Sequence, residues 1–149
     1  MVRYFDSSFI LSLLFAEPAG GSMDELWRNP ARCLASNLLL IECVIAIRRV
    51  ARLQPRSSGE AAGERWARSR LAALDRILTD FDLKVVDRSI EEIIRSTPVL
   101  AECRTLDAIH LATALHFKPA VVGGLEVVTL DRTMGSVARK LGLAVRPHP

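Results

Sequence analysis

Four carboxylates stand in apolar surroundings, where an unpartnered acid is costly. Asp6 follows a short apolar segment in YFDSSFI, and Glu42 lies inside LLLIECVIAI. Asp107 lies in TLDAIHLATAL, and Asp131 directly follows LEVVTL. Carboxylates are rarely buried without a partner, so each of these acids needs an explanation. Taken singly, each is more simply interpreted as a helix cap, a first-turn residue or half of an ion pair.

Taken together, the four acids suit a metal site. Carboxylates gathered in one pocket repel one another, and divalent cations relieve that repulsion. All-oxygen ligation favours hard ions such as Mg²⁺ or Mn²⁺, which also bind phosphate oxygens. Because such ions activate water for attack on phosphorus, the set predicts metal-assisted phosphodiester hydrolysis.

Strands and helices alternate along the chain and would position these acids. The predicted strands are short and apolar, and they span residues 2–5, 32–35, 81–86, 125–130 and 143–145. The predicted helices follow capping or turn residues, and they span about 8–15, 22–27, 38–53, 60–78, a segment after residue 89, 106–117 and 134–141. Short parallel strands joined by helices form an open α/β sandwich. Ligands bind at the carboxyl ends of such strands, where Asp6 and Asp131 both fall.

Polar residues before the helical segments are candidate N-caps. Ser7 or Ser8 precedes the first predicted helix, and Ser36 or Asn37 precedes the long apolar one. Ser89 with Glu92 fits the capping-box pattern, and Thr105 precedes the segment that contains Asp107. These residues are therefore the predicted caps of four helices.

Four stretches together resemble the PIN-domain ribonucleases, and more narrowly the VapC toxins of bacterial toxin–antitoxin pairs. The matching stretches are YFDSSFIL (D-x-S after the first strand), SNLLLIE (S-x-x-x-x-x-E), RTLDAIHLATAL (the most recognisable segment) and VVTLDRTMGSVARKLGL (T-x-D, helix and glycine). Their order and spacing also fit the family. The resemblance implies an α/β fold, a PIN-like three-layer sandwich with a short, mainly parallel central sheet flanked by helices. It implies one such domain over residues 1–149.

The resemblance also assigns roles to residues. It implies that the metal-binding and catalytic acids are Asp6, Glu42, Asp107 and Asp131. Ser8 and Thr129 would support the site by orienting an acid or a water. Arg104 matches a basic position often seen before the third acid. The family further implies Mg²⁺ or Mn²⁺ as cofactor, RNA as substrate, a cognate antitoxin as partner and a homodimer.

A basic segment separates the second and third predicted strands. Eight arginines and three acids lie between residues 48 and 76, although the net charge of the chain is only +3. Arginine clusters suit phosphate or carboxylate partners, so we expect Arg48, Arg49 and Arg52 to contact RNA or antitoxin. A solvated helical face is the alternative interpretation.

Composition narrows the class of protein. The chain has 149 residues, of which 50% are hydrophobic and 25% charged, as in ordinary globular domains. Three cysteines without a C-x-x-C pair argue against a disulfide framework or zinc site and favour a reducing compartment. No basic leader precedes an unbroken apolar run, and no run approaches the roughly 20 residues of a membrane span. We expect a cytoplasmic protein without membrane contact.

Other functions fit the sequence less well. A phosphatase with an Asp nucleophile usually has a second acid two residues later, where this chain has Ser8. A non-catalytic PIN-like module that binds RNA or protein would be favoured by loss of one acid, and all four are present. A housekeeping RNA-processing nuclease stays open as the alternative to a toxin. His110 could be a general base or a ligand, but a structural histidine is preferred because an all-carboxylate site does not need it.

Overall fold

The computed structural model describes residues 2–15, 32–53 and 60–147. The strands in these ranges are β1 (Val2–Phe5), β2 (Arg32–Ser36), β3 (Phe81–Lys84), β4 (Leu125–Thr129) and β5 (Ala144–Pro147). The helices are α1 (Ser7–Phe15), α2 (Asn37–Leu53), α3 (Glu60–Leu78), α4 (Arg88–Ser96), α5 (Thr105–Phe117) and α6 (Arg132–Lys140). Short 3-10 helices lie at Pro98–Glu102 and Lys118–Ala120. The predicted helix at 22–27 lies outside the described residues.

The described strands form one sheet in which every pair is parallel. The strand order is β3-β2-β1-β4-β5, so β1 lies at the centre. After β1 the chain continues to β2 on one side of it in the sheet. After β4 the chain continues to β5, which lies toward the opposite edge of the sheet. The neighbours β1 and β4 therefore flank the switch point of the sheet, where open α/β sheets bind their ligands.

Alternate side chains of the strands point to opposite faces and build two cores. On one face α4, α5 and α6 cover the sheet, with Tyr4, Leu34, Ile90, Leu111, Val127 and Met134 buried between the layers. On the other face α1, α2 and α3 cover the sheet, and the residues buried there include Phe5, Phe9, Ala35, Leu39, Leu74 and Val128. This arrangement confirms the predicted three-layer α/β sandwich.

Two predicted caps are wrong because a neighbouring Asp occupies the position. α1 begins at Ser7 itself, and the residue before it is Asp6, whose Oδ2 accepts the Ser8 N–H at 3.4 Å. The N-cap of α4 is Asp87, whose carboxylate accepts the Ser89 N–H at 3.0 Å. Asp is as good an N-cap as Ser, so nearby candidates cannot be ranked by residue type alone.

The other two predicted caps have different outcomes. Ser36 caps α2, since its Oγ accepts the Leu38 N–H at 3.1 Å. The prediction for α5 is wrong because Thr105 is its first helical residue and Arg104, the cap, makes no side-chain hydrogen bond there.

Several boundaries also differ from the predicted ones by a few residues. β3 and β4 end at Lys84 and Thr129, before the predicted ends at 86 and 130. α6 begins at Arg132 rather than at 134, and β5 runs over Ala144–Pro147 rather than 143–145. None of the helices that the structure describes combines the length and apolar character needed to cross a membrane. That residues 1–149 form a single domain stays a prediction.

Candidate active site

Two of the four acids lie side by side at the switch point of the sheet. Asp6 directly follows β1 and Asp131 lies two residues beyond the end of β4, where the carboxyl ends of both strands meet. The Asp6 N–H continues the ladder by donating to the Val128 carbonyl at 3.1 Å. Asp6 is 4% exposed, so its carboxylate is almost fully withdrawn from water.

Two hydroxyls fix the Asp6 carboxylate. Ser8 Oγ donates to Asp6 Oδ2 at 2.5 Å, and Thr129 Oγ1 donates to the same oxygen at 2.9 Å. The Ser7 hydroxyl reaches the other oxygen, Oδ1, at 3.4 Å. Because hydrogen bonds to a charged acceptor are the strong ones, these hydroxyls hold Asp6 in one orientation. The side chains predicted to support the site thus contact its most buried acid.

The same hydroxyls join Asp6 to the segment that carries Asp131. Thr129 Oγ1 accepts the Asp131 N–H at 3.1 Å, and Ser8 Oγ accepts the Leu130 N–H at 3.0 Å. Asp131 is also the N-cap of α6, and its Oδ1 accepts the Met134 N–H at 2.8 Å. The acid at the end of β4 is therefore held by backbone amides before any ligand is considered.

Asp107 lies in the first turn of α5 and faces the other acids. Burial raises the pKa of the Asp107 carboxyl above its ordinary value, and the charges of Asp131 and Asp6 raise it further. A backbone hydrogen bond from Arg104 and the nearby His110 act in the opposite direction. Asp107 Oδ2 is buried and has no hydrogen-bond partner among the described residues. A buried acceptor of this kind retains its capacity to bind a cation.

Glu42 is linked to the buried acids by a hydrogen bond with His110. Nε2 of His110 lies 2.7 Å from Glu42 Oε2 and 3.7 Å from Asp6 Oδ1, while Nδ1 lies 2.9 Å from the Tyr4 hydroxyl. His110 is 1% exposed, whereas the Glu42 side chain is 20% exposed. Glu42 is therefore the solvent-accessible end of this hydrogen-bonded group.

Burial raises the pKa of Tyr4 well above its ordinary value, and the negative charge of Asp6 adds to this effect. Tyr4 therefore stays a neutral hydroxyl at physiological pH.

The donor set fits a divalent cation. One ligand atom each from Asp6, Glu42 and His110 lie within 4.8 Å of one another. Asp107 and Asp131 fall outside that tight group, but the charges of Asp131 and Asp6 both act on Asp107. Clustered carboxylates with an unpartnered oxygen match the ligand chemistry of Mg²⁺ and Mn²⁺.

Comparison with known proteins places the chain in a family. Residues 3–140 match the PIN domain family. The chain is a PIN-domain protein. It is 31% identical over 142 residues to ribonuclease VapC46 of Mycobacterium tuberculosis, a match that covers 95% of this chain and 94% of the relative. The family predicted from the sequence motifs is therefore confirmed.

The fold of this PIN domain also has a solved counterpart. It resembles a chain from the crystal structure of VapBC2 from Rickettsia felis bound to a DNA fragment from their promoter. The TM-score is 0.65 at 13% identity, over 99% of this chain and 98% of the other. At that identity the likeness concerns the fold alone, and it agrees with the predicted PIN-like sandwich.

The arginines singled out in the sequence have different surroundings in the PIN domain. Arg48 of α2 donates from one nitrogen to both carboxylate oxygens of Glu64 on α3, at 3.1 and 2.9 Å. Arg49, Arg52 and Arg104 have exposed side chains. An internal partner reduces the availability of Arg48, so contact of these arginines with RNA or antitoxin stays a prediction.

The sequence did not identify Tyr4 as a residue of the site, and it favoured a purely structural role for His110. His110 is buried, as a structural histidine would be, but it contacts Glu42 directly. Tyr4 was not singled out, although it is the only tyrosine in the chain and lies in an apolar strand. The spacing of His110 three residues after Asp107 was the available signal, because such residues share a helix face.

Proposed function

We propose that this PIN-domain protein is a metal-dependent ribonuclease and the toxin of a type II toxin–antitoxin pair. The observation that carries the proposal is the group of carboxylates at the switch point of the sheet, where ligand atoms of Asp6, Glu42 and His110 lie within 4.8 Å of one another. Acids from the ends of β1 and β4 and from α5 converge there, and the buried Oδ2 of Asp107 has no hydrogen-bond partner within the part of the chain that the structure describes. A binding module has no need for such a destabilising cluster, whereas a metal-dependent nuclease does.

The proposed metal ligands are the four acids of the quartet, Asp6, Glu42, Asp107 and Asp131. When bound, Mg²⁺ or Mn²⁺ supplies a Lewis acid for the phosphate and lowers the pKa of water. The protein supplies orientation, since Ser8 and Thr129 fix Asp6, and the Met134 N–H fixes Asp131.

The four acids differ in their exposure to solvent, which indicates the side from which a substrate can reach the site. Asp6 is buried, whereas Glu42, Asp107 and Asp131 are partly exposed. An RNA phosphate would therefore approach from the side of these three acids, with Asp6 at the floor. Exposed basic side chains such as Arg49, Arg52 and Arg104 can offset the charge repulsion between the phosphate backbone and the acids.

The proposed partners follow from the relatives. The relative from Mycobacterium tuberculosis is a VapC ribonuclease, and the structural neighbour comes from a VapBC2 complex on promoter DNA. We therefore propose RNA as substrate and a cognate antitoxin as partner. The resemblance of the sequence motifs to the family supports the further proposal of a homodimer, and we propose the cytoplasm as the place of action. A housekeeping RNA-processing nuclease is the alternative.

An RNA cleavage assay with the purified protein tests the metal-dependent activity. Cleavage is expected with Mg²⁺ or Mn²⁺, and it should stop with EDTA and in Asp6→Asn and Asp107→Asn. Asp80→Asn is the matched control, because Asp80 is an exposed acid that precedes β3 at the opposite end of the sheet. Activity that survives EDTA or both site variants would refute the metal mechanism.

Induced expression separates a toxin from a housekeeping enzyme. Wild type is expected to arrest growth and produce new RNA 5′ ends, while Asp6→Asn does neither. If a small neighbouring gene encodes the cognate antitoxin, its co-expression should relieve the arrest. Cleavage in vitro without growth arrest would favour the housekeeping role.

A further inference from the structure

A chain of three polar side chains crosses the core from β1 to α2. It runs from the Tyr4 hydroxyl to His110 Nδ1 at 2.9 Å, and from His110 Nε2 to Glu42 Oε2 at 2.7 Å. Tyr4 is 0% exposed and His110 is 1% exposed. Burying polar groups costs free energy unless they are hydrogen-bonded, so three residues on three elements must be in register to satisfy one another.

The direction of the hydrogen bond to Glu42 follows from its chemistry. An ionised carboxylate can only accept, so His110 Nε2 carries the hydrogen and donates it. The opposite ring nitrogen is engaged by Tyr4, and rotation of the imidazole would break both bonds. The ring therefore presents a fixed N–H to Glu42.

Glu42 depends on such a donor more than Asp6 and Asp131 do. Asp6 is held by the hydroxyls of Ser8 and Thr129, and Asp131 is held by the Met134 N–H. Glu42 has one more rotatable bond than an Asp, and its side chain is partly exposed. Ordering a long, partly exposed side chain on metal binding costs conformational entropy unless a partner fixes it beforehand.

The distances favour a positioning role over direct ligation by His110. The 2.7 Å separation from Glu42 Oε2 is that of a charge-assisted hydrogen bond, and Asp6 Oδ1 lies farther away at 3.7 Å. Both ring nitrogens are engaged by protein groups, and a hard cation takes oxygen ligands by preference.

We infer that His110, itself held by Tyr4, is a positioning residue that orients the Glu42 carboxylate toward the metal. This inference rests on the proposed metal centre. A group behind a metal ligand that fixes its orientation commonly changes metal affinity by 10- to 100-fold, which sets the expected size of the effect.

Calorimetric titration of Mn²⁺ into the full chain, without RNA, tests the inference. We expect His110→Leu to raise the Mn²⁺ Kd by about 10- to 100-fold. His110→Gln retains an N–H donor and should recover part of the affinity, and Tyr4→Phe should weaken binding by several-fold. His116→Gln is the matched control, because His116 is on the same helix, and its Kd should equal that of wild type.

Two results would overturn the inference while leaving the metal centre intact. One is unchanged Mn²⁺ affinity in His110→Leu, or in Tyr4→Phe if His110→Leu does not fold. The other is a ¹⁴N coupling to bound Mn²⁺ in pulsed EPR that disappears in His110→Gln, since it would make His110 a ligand. Absence of Mn²⁺ binding in wild type would instead refute the proposed metal centre, and the inference with it.

Discussion

Replacing Thr129 with valine tests whether the hydroxyls at the end of the sheet stabilise the ionised Asp6. Thr129 is 3% exposed, and its Oγ1 donates to Asp6 Oδ2 at 2.9 Å and accepts the Asp131 N–H at 3.1 Å. Valine has nearly the same shape and suits a strand, so the change mainly removes the hydroxyl.

The expected loss follows from these two bonds. A hydrogen bond to a charged acceptor contributes about 1.5–3 kcal/mol, and a neutral one about 0.5–1.5 kcal/mol. The added methyl group offsets part of the loss by burying more apolar surface. We therefore expect Thr129→Val to lower the free energy of unfolding of the metal-free protein by about 2–3 kcal/mol, or roughly 4–12 °C in Tm.

Urea unfolding in EDTA at neutral pH measures this loss, and a double-mutant cycle assigns it. In an Asp6→Asn background the acceptor is neutral, so Thr129→Val should cost about 1 kcal/mol less than in wild type. If Thr129→Val lowers the free energy of unfolding by the same amount in both backgrounds, to within about 0.5 kcal/mol, the proposed stabilisation is refuted. Thr129 would then not act through the charge of Asp6.

Three further predictions concern separate parts of the molecule. Because folding raises the Asp107 pKa, its contribution to stability is present below the unfolded pKa of about 4 and is lost as pH rises through the raised value. In urea titrations, metal-free Asp107→Asn should therefore have a higher free energy of unfolding than wild type at pH 7, with the difference shrinking toward pH 4; a pH-independent difference would contradict this. Arg49→Ala and Arg52→Ala should each reduce the salt slope of RNA binding by about 1 in filter-binding assays, whereas unchanged slopes would indicate a solvated face. Gly135→Ala should raise stability by about 0.5–1 kcal/mol in thermal unfolding, because the new Cβ would lie 3.5 Å from Val145 Cγ1, at ordinary contact distance; a lower Tm would reveal strain.

The sequence predicted those features that depend on local chain order. The apolar strands end directly before Asp6 and just before Asp131, so the position of both acids at the carboxyl edge could be inferred from hydrophobic runs alone. The parallel sandwich followed from the alternation of strands and helices. Helix starts were harder, because Asp87 and Ser89 are both good caps and only the backbone path decides between them.

Contacts between distant segments could not be predicted in the same way. Tyr4 and His110 are 106 residues apart, and His110 and Glu42 are 68 apart. Tyr4 and His110, each taken alone, fit ordinary core positions. Only the folded structure shows that their polar atoms meet. For the same reason the partner of Arg48 on α3 was not foreseen.

The fold offers a physical reason why clustered acids are tolerated in the absence of the proposed cation. Asp6 precedes α1, Asp131 caps α6, and Asp107 lies in the first turn of α5. The amino end of a helix carries partial positive charge, which stabilises a nearby carboxylate by about 0.3–1 kcal/mol. Three of the four acids therefore lie beside the positive ends of helix dipoles, and Glu42, in the interior of α2, has a hydrogen bond with His110 instead. The arrangement can hold the negative charge in place without cancelling it, as the proposed divalent-cation site requires.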